Sequence, residues 1–262
     1  MARTSRLDAE LVRRGLSSSR DQARRAIEAG KVLVRGIPAA RATTLVSADD
    51  PIVIDAPTAR FVSRGGDKLD GALARLDVVV AGRRWLDAGA STGGFTDRLL
   101  QGGAAAVVAV DVGYGQLDWG LRNLDRVVVI ERKNARHLTP GDLPWEPDGV
   151  VADLSFISLE LVLPALVSVA SRDADYVLLV KPQFEVGKES VGKGGVVSDP
   201  TLWRAALLRV VETGRGLKLG LAGAVPSEPR GPAGNREFFV HMRRGAPERD
   251  DPIRSAIEEV SA

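Results

Sequence analysis

Four charged residues stand where they could act together on a hydroxyl group. Lys68 lies in Ser63-Arg64-Gly65-Gly66-Asp67-Lys68-Leu69, and Asp153 opens Asp153-Leu154-Ser155-Phe156. Lys181 follows the apolar run Leu178-Leu179-Val180, and Glu237 precedes Phe238-Phe239. Two lysines and two carboxylates in one cleft make a neutralised, coupled cluster. Coupling of this kind moves a lysine pKa, so that its amine can act on a hydroxyl. The competing reading is an assortment of strand-end salt bridges. Asp153 and Lys181 each end a candidate strand, whereas sequence alone does not bring Lys68 and Glu237 to the same place.

A second constellation would hold a ligand beside them. Leu86-Asp87-Ala88-Gly89-Ala90-Ser91-Thr92-Gly93-Gly94-Phe95 joins a short apolar run to a glycine-rich bend that opens a helix. Small residues let a nucleotide-like ligand approach the backbone, and the free N–H groups of a helix start add polar contacts. Asp87, Gly89, Ala90, Ser91, Thr92, Gly93 and Phe95 are the candidate contacts. A phosphate-gripping loop wants Gly-Lys-Ser/Thr, but Gly94 is followed by Phe95-Thr96. A dinucleotide loop wants Gly-x-Gly-x-x-Gly, but Ser91 replaces the middle glycine, where a pyrophosphate needs room. S-adenosylmethionine has no pyrophosphate and tolerates the looser bend, which raises it above the dinucleotide. Asp111 is placed to accept ribose hydroxyls or to cap a helix. Asn134 could meet an adenine edge or cap a loop, and Phe156 could pack on the cofactor, on a target base or in the core.

The elements that must position these residues alternate from residue 64 onward. Candidate strands are 84–87, 106–111, 126–130, 149–153 and 176–180, with helices at 96–101 and 159–170. A later helix at about 201–212 and strands near 217–225 and 237–242 complete a seven-stranded sheet. Continuous apolar strands alternating with amphipathic helices predict a doubly wound, mostly parallel α/β sheet of Rossmann type. In such a sheet ligands bind at the carboxyl ends of the strands, which puts Asp153 and Lys181 beside the Gly89–Gly93 bend.

Residues 1–60 form a separate small α+β unit in this reading. Leu7, Leu11 and Val12 have helical spacing, Ser17-Ser18-Ser19 supplies a cap, and Ala23, Ala26 and Ile27 mark a second helix closed by Gly30. Val32–Val34 and Ile52–Ile54 read as strands. Residues 1–45 hold ten Lys/Arg against four Asp/Glu, while the rest of the chain holds 26 against 30. A basic block beside a mildly acidic body suggests a polyanion-binding arm or a solvated basic face. Residues 55–63 read as a linker ending at 61–63, with Phe61 and Val62 packing at the boundary. The larger domain spans 64–245, and 246–262 is a tail that forms a short helix with Ile253, Ile257 and Val260 on one face.

There is no cysteine, and His137 and His241 are the only histidines. Disulfides and thiolate metal sites are excluded, and no metal is expected. No run is long and apolar enough to span a bilayer, and the basic start lacks a signal-peptide core. The expectation is a cytoplasmic protein without a membrane partner.

The residues also carry two resemblances. Arg6-Leu7-Asp8, Gly15-Leu16, Ser19-Arg20, Ala23, Ile27, Gly30, Val32, Val34 and Gly36 resemble the RNA-binding domain named after the fourth protein of the small ribosomal subunit. That resemblance implies RNA phosphate contacts from Arg6, Arg20, Lys31 and their basic neighbours. Over nearly the whole chain, Ser63–Leu69, Leu86–Thr96, Asp111-Val112-Gly113-Tyr114-Gly115-Gln116, Asp153–Ser158, Lys181–Lys188 and Gly194-Gly195-Val196-Val197 resemble the TlyA family of ribosomal RNA 2′-O-methyltransferases, also labelled haemolysin-like.

Family membership implies an FtsJ-type domain using S-adenosylmethionine, with Lys68, Asp153, Lys181 and Glu237 as its catalytic tetrad. It implies cytidine ribose hydroxyls as acceptors, within one or both ribosomal subunits. The protein is expected to be a monomer. Arg64, Arg132, Arg136 and Lys188 would extend the RNA track. The family's linker often carries Arg-x-Trp-Val, where this chain reads Arg60-Phe61-Val62. The alternatives are a ribosome-binding or assembly factor with a vestigial cofactor site, and a pore-forming haemolysin.

Overall fold

The computed structural model describes residues 4–17, 19–54, 60–231, 233–246 and 251–261, without the side chains of Lys188 and Lys193. The chain divides into two compact units, Met1–Ala59 and Arg60–Ala262.

In the first unit β1 (Thr4–Arg6) leads into α1 (Leu7–Arg13), followed by α2 (Arg20–Glu28), β2 (Val32–Val34), β3 (Ile37–Pro38), β4 (Leu45–Ser47) and β5 (Ile52–Ile54). The Ser19 hydroxyl caps α2 by accepting the Gln22 N–H at 3.2 Å. β2 pairs antiparallel with both β3 and β5, and β1 with β4. Leu7, Leu11, Ala23, Ile27, Val32, Val46 and Ile52 form the core. The two helices and the strands at 32–34 and 52–54 match the expectation from sequence. Strands β1, β3 and β4 are additional, being too short to show a two-residue alternation.

The second unit contains α3 (Arg64–Leu76), β6 (Arg84–Ala88), α4 (Gly94–Gln101), β7 (Ala106–Val110), α5 (Trp119–Arg122), β8 (Val127–Ile130) and β9 (Gly149–Ala152). After these come α6 (Leu159–Val169), β10 (Asp175–Val180), α7 (Pro182–Glu185), α8 (Pro200–Gly216), β11 (Gly220–Pro226), β12 (Phe238–Arg243) and α9 (Pro252–Ser261). Seven strands form one sheet in the order β11-β12-β10-β9-β6-β7-β8. All neighbours are parallel except β12, which runs antiparallel to β10 and β11. From β6 the chain winds outward to β7 and β8, then returns to β9 on the other side. The order reverses between β6 and β9, and a crevice opens there at the carboxyl ends.

The strands are apolar on both faces because both faces are covered. Leu69, Leu73, Phe95 and Leu99 from α3 and α4 pack on one side. Leu163, Leu166, Leu207, Val210, Ile253 and Ile257 from α6, α8 and α9 pack on the other.

Helix α3 is the main departure from the sequence expectation, which placed Lys68 simply ahead of the first strand. Gly65-Gly66 argues against a helix start on propensity. Here the glycines permit close packing: a Cβ on Gly94 would lie 2.9 Å from the Gly66 nitrogen. The starts of α3 and α4 can approach only because Gly94 has no side chain, whereas a Cβ on Gly66 would strike the Phe61 side chain. Residues 60–62 are also bound into this unit. Arg60 pairs with Asp70 at 2.6 Å, Phe61 is buried, and the Val62 N–H donates to Asp97 at 2.9 Å. Residues 55–59 of the expected linker lie outside the described residues.

Candidate active site

Strand β6 ends in a turn that the sheet itself fixes. The N–H groups of Gly89 and Ala90 both donate to the Val110 carbonyl, at 2.8 and 3.1 Å. Gly89 has φ +85°, and a Cβ there would lie 2.6 Å from the Asp153 carbonyl oxygen. The bend is thus pressed against the end of β9, and only glycine fits. Ser91, at φ +48°, donates its N–H to Asp111 Oδ2 at 2.8 Å, and Gly113 donates to Asp111 Oδ1 at 2.6 Å. Asp111, the first residue past β7, therefore ties the bend to the β7–α5 loop while lining the cleft.

Beside the bend the four expected charged residues form two ion pairs. Lys181, directly after β10, places Nζ 2.5 Å from Asp153 Oδ1 and donates to Ser155 Oγ at 3.1 Å. Lys68, on the second turn of α3, places Nζ 2.5 Å from Glu237 Oε2, directly before β12. The Lys68 and Glu237 side chains are 8% and 1% exposed, against 10% and 24% for Lys181 and Asp153. Lys68 and Asp153 line one recess with Gly89, Ala90, Ser91, Thr92 and Phe95. α3 is what brings Lys68 to the sheet edge, and that helix was not read from the sequence.

A larger cleft of about 1120 Å³ opens beside this recess, lined by Gly89, Ser91, Asp111, Asn134, Asp153 and Phe156 among others. Its volume suits a nucleoside-sized ligand. Its walls also fit S-adenosylmethionine. The glycine cradle leaves room for the backbone to meet a ligand, and the acidic Asp111 and Asp153 line the cleft, which suits a cationic donor.

Asp87 is not part of that wall. It is buried beneath the bend, where Thr96 Oγ1 donates to Oδ2 at 2.7 Å and Oδ1 has no partner. Burial, with the nearby Asp153 and Asp111 charges adding to it, pushes its carboxyl up from 3.8 to about 7. Gly93 lines neither space and packs against Leu117 and Leu121. Phe95 is buried, with its ring 5.9 Å from that of Phe239.

Asn134 accepts the Arg136 N–H at 3.0 Å, so the loop-cap reading holds while the residue still lines the cleft. The core reading of Phe156 does not hold. The side chain is 91% exposed at φ +64°, with its ring 5.2 Å from that of Phe184. A core position would need an inward-facing helix or strand, and the segment between β9 and α6 is neither.

Several lining residues carried no earlier assignment. Ser155, Gln183 and Phe184 also line the cleft, and the sequence signal for them is their place in the Asp153–Ser158 and Lys181–Lys188 runs. Glu185 is buried, and its carboxylate accepts the Ser158 hydroxyl at 2.5 Å and the Leu159 N–H at 2.9 Å. Burial raises its pKa. Its one sequence signal is its place in the Lys181–Lys188 run, which does not reveal that it is buried.

The basic residues are scattered more widely. Arg64 and Arg136 are exposed at the two recesses, and the exposed Arg132 guanidinium lies 4.3 Å above the Tyr114 ring. Arg6 and Arg20 surround Asp8, and Lys31 is exposed. The side chain of Lys188 lies outside the described residues.

Fold and site together define an α/β methyltransferase domain in a chain that also carries a small RNA-binding module. Residues 61–244 match the FtsJ-like methyltransferase model, and residues 5–52 match the S4 domain. The 16S/23S rRNA (cytidine-2'-O)-methyltransferase TlyA of Mycobacterium tuberculosis is 54% identical over 266 residues, covering 99% of both chains. Hemolysin A of Brachyspira hyodysenteriae is 35% identical over 90% of this chain and 99% of its own. A solved structure from Streptococcus thermophilus, named a hemolysin, is 36% identical with TM-score 0.77, covering 100% of this chain and 97% of that one. The chain belongs to the TlyA family of FtsJ-like methyltransferases. The haemolysin label has no counterpart in a spanning helix: among the described residues no helix is long and apolar enough to cross a membrane.

Proposed function

We propose that the protein transfers the methyl group of S-adenosylmethionine to the 2′-hydroxyl of a cytidine in ribosomal RNA. The observation that carries this reading is the Lys181–Asp153 pair at 2.5 Å, set at the carboxyl ends of the central strands beside the Gly89 bend. The full-length similarity to a cytidine-2'-O-methyltransferase supports the choice of acceptor.

Gly89, Ala90, Ser91, Thr92 and Asp111 would hold the methyl donor, with Asn134 and Phe156 along the cleft. When bound, it supplies a methyl group already activated on a sulfonium. The chain's own task is then alignment and charge control. Lys181 orients the ribose hydroxyl, and its Nζ either accepts the proton or stabilises negative charge developing on oxygen. Asp153 positions Lys181, while the buried Lys68–Glu237 pair fixes the ribose and tunes the cluster.

Arg6, Arg20 and Lys31 on the S4 unit, with Arg64, Arg132, Arg136 and Lys188, contact RNA phosphates. A target nucleotide inside folded RNA turns out of its stack to reach the cleft, at a cost of a few kcal/mol. The protein acts as a monomer on ribosomal subunits in the cytoplasm.

The test is a map of ribose methylation in ribosomal RNA from cells with and without the gene. One or more cytidine 2′-O-methyl groups that depend on the gene are expected. Tight subunit binding without detectable S-adenosylmethionine binding would instead favour a non-catalytic assembly factor.

A further inference from the structure

Helix α1 carries two buried carboxylates that treat their arginines in opposite ways. Glu10 pairs with Arg13 and Arg14 and accepts the Ser5 hydroxyl at 2.8 Å. Arg14 turns inward from it, donating to the carbonyls of Asp50, Ser47 and Ala48 at 2.7 to 3.0 Å. That arrangement staples α1 to the β4–β5 segment and is structural.

Asp8 lies two residues earlier and its side chain is 0% exposed, yet its arginines face outward. Arg6 donates to both carboxylate oxygens at 3.0 Å, Arg20 approaches both at 3.4 Å, and Arg24 Nε stands 3.9 Å away. The three side chains remain 42%, 54% and 49% exposed. Among the described residues none of the three donates to a backbone carbonyl. Exposed Asp21 lies 3.8 Å from Arg24, so three guanidinium groups face two carboxylates and the cluster stays net positive.

A carboxylate buried in this way is costly unless it is paired. Here the pairing gathers three mutually repelling groups from β1 and α2 at one place. Free arginines lose much rotamer freedom when they close on a phosphate; these are already held, with unused N–H donors turned to solvent. The Arg6 hydrogen bond chiefly holds the Asp8 carboxyl down at about 2, so the anchor stays charged at neutral pH.

We propose that Asp8 is a positioning residue that assembles Arg6, Arg20 and Arg24 into one phosphate-binding site for the RNA backbone. The inference rests on the ribosomal RNA reading above and adds Arg24 and Asp8 to it. It also runs against simple charge counting. Removing a negative charge from an RNA-binding surface should tighten binding; removing Asp8 should loosen it.

The test compares wild type with Asp8→Asn, Arg24→Gln and Glu10→Gln in the full-length protein. Each is titrated against purified small and large ribosomal subunits over a potassium chloride series, with thermal melting alongside. Asp8→Asn should bind roughly tenfold more weakly, and the slope of log affinity against log salt should fall by about 1 to 2. Arg24→Gln should lower that slope by about 1. Glu10→Gln should lower the melting temperature of the small unit yet leave the slope unchanged, separating positioning from stability. Folded Asp8→Asn binding as tightly as wild type, or more tightly, with the same slope would overturn the proposal. If Asp8→Asn does not fold, the Arg24→Gln slope decides: a wild-type value overturns the site, a reduced one supports it. Wild type that binds neither subunit would sink the ribosomal RNA reading itself, and the site with it.

Discussion

Replacing Glu237 by glutamine should cost far more stability than a surface ion pair would. The Lys68 and Glu237 side chains are 8% and 1% exposed, with Nζ and Oε2 2.5 Å apart. Glutamine keeps the shape and the acceptor oxygen but leaves the Lys68 ammonium uncompensated. Breaking a buried pair from one side costs about 3 to 5 kcal/mol, against at most about 1 kcal/mol for an exposed pair. In a unit of this size 1 kcal/mol corresponds to about 2 to 4 °C, so the melting temperature should drop by roughly 6 to 20 °C. Lys68→Met combined with Glu237→Leu removes both charges and should recover most of that loss. The recovered protein should still fail to transfer methyl groups, because the pair is needed at the ribose as well as in the fold. The assay is thermal melting of the single and double variants, with methyl transfer measured well below the lowest transition. A Glu237→Gln variant melting within about 2 °C of wild type would refute the burial argument. A double variant with normal transfer would refute the catalytic placement of the pair.

Two further outcomes follow from the bend. Gly89→Ala would push a Cβ to 2.6 Å from the Asp153 carbonyl at φ +85°, so S-adenosylmethionine binding measured by calorimetry should be lost or severely weakened; wild-type affinity would contradict the cradle. Asp87→Asn should alter the pH dependence of stability. The folded carboxyl sits at about 7 against an ordinary 3.8, so this group's stabilising contribution is present at low pH and is lost as pH rises through that window. Relative to Asp87→Asn, wild type should lose stability between about pH 4 and 7, by at most about 4 kcal/mol. Parallel melting curves for the two proteins at pH 5 and 8 would show that Asp87 is not held neutral.

The sheet was legible in the sequence because its strands are continuous apolar runs, buried on both faces and punctuated by helices. The bend was legible for a similar reason: glycines at a strand end mark where the backbone must turn sharply. Lys181 and Asp153 came with their strands. Lys68 and Glu237 did not, since the contact between them spans 169 residues of sequence and depends on a helix whose first turn holds Gly65-Gly66. Propensity argues against such a helix, and close packing against α4 overrides it. Phe156 shows the opposite failure. An apolar residue amid apolar neighbours suggests core, but its positive φ turns it out to 91% exposure. Asp8 and Glu10 are indistinguishable in sequence from the acids that usually open a helix, and only their burial reveals that each organises arginines.

The most direct test of the central claim is methyl transfer by Lys181→Ala to ribosomal subunits that lack the modification, using labelled S-adenosylmethionine. Donor binding close to wild type and no label on cytidine ribose are expected. Undiminished transfer by this variant would contradict the assignment of Lys181 and the chemistry built on its pairing with Asp153.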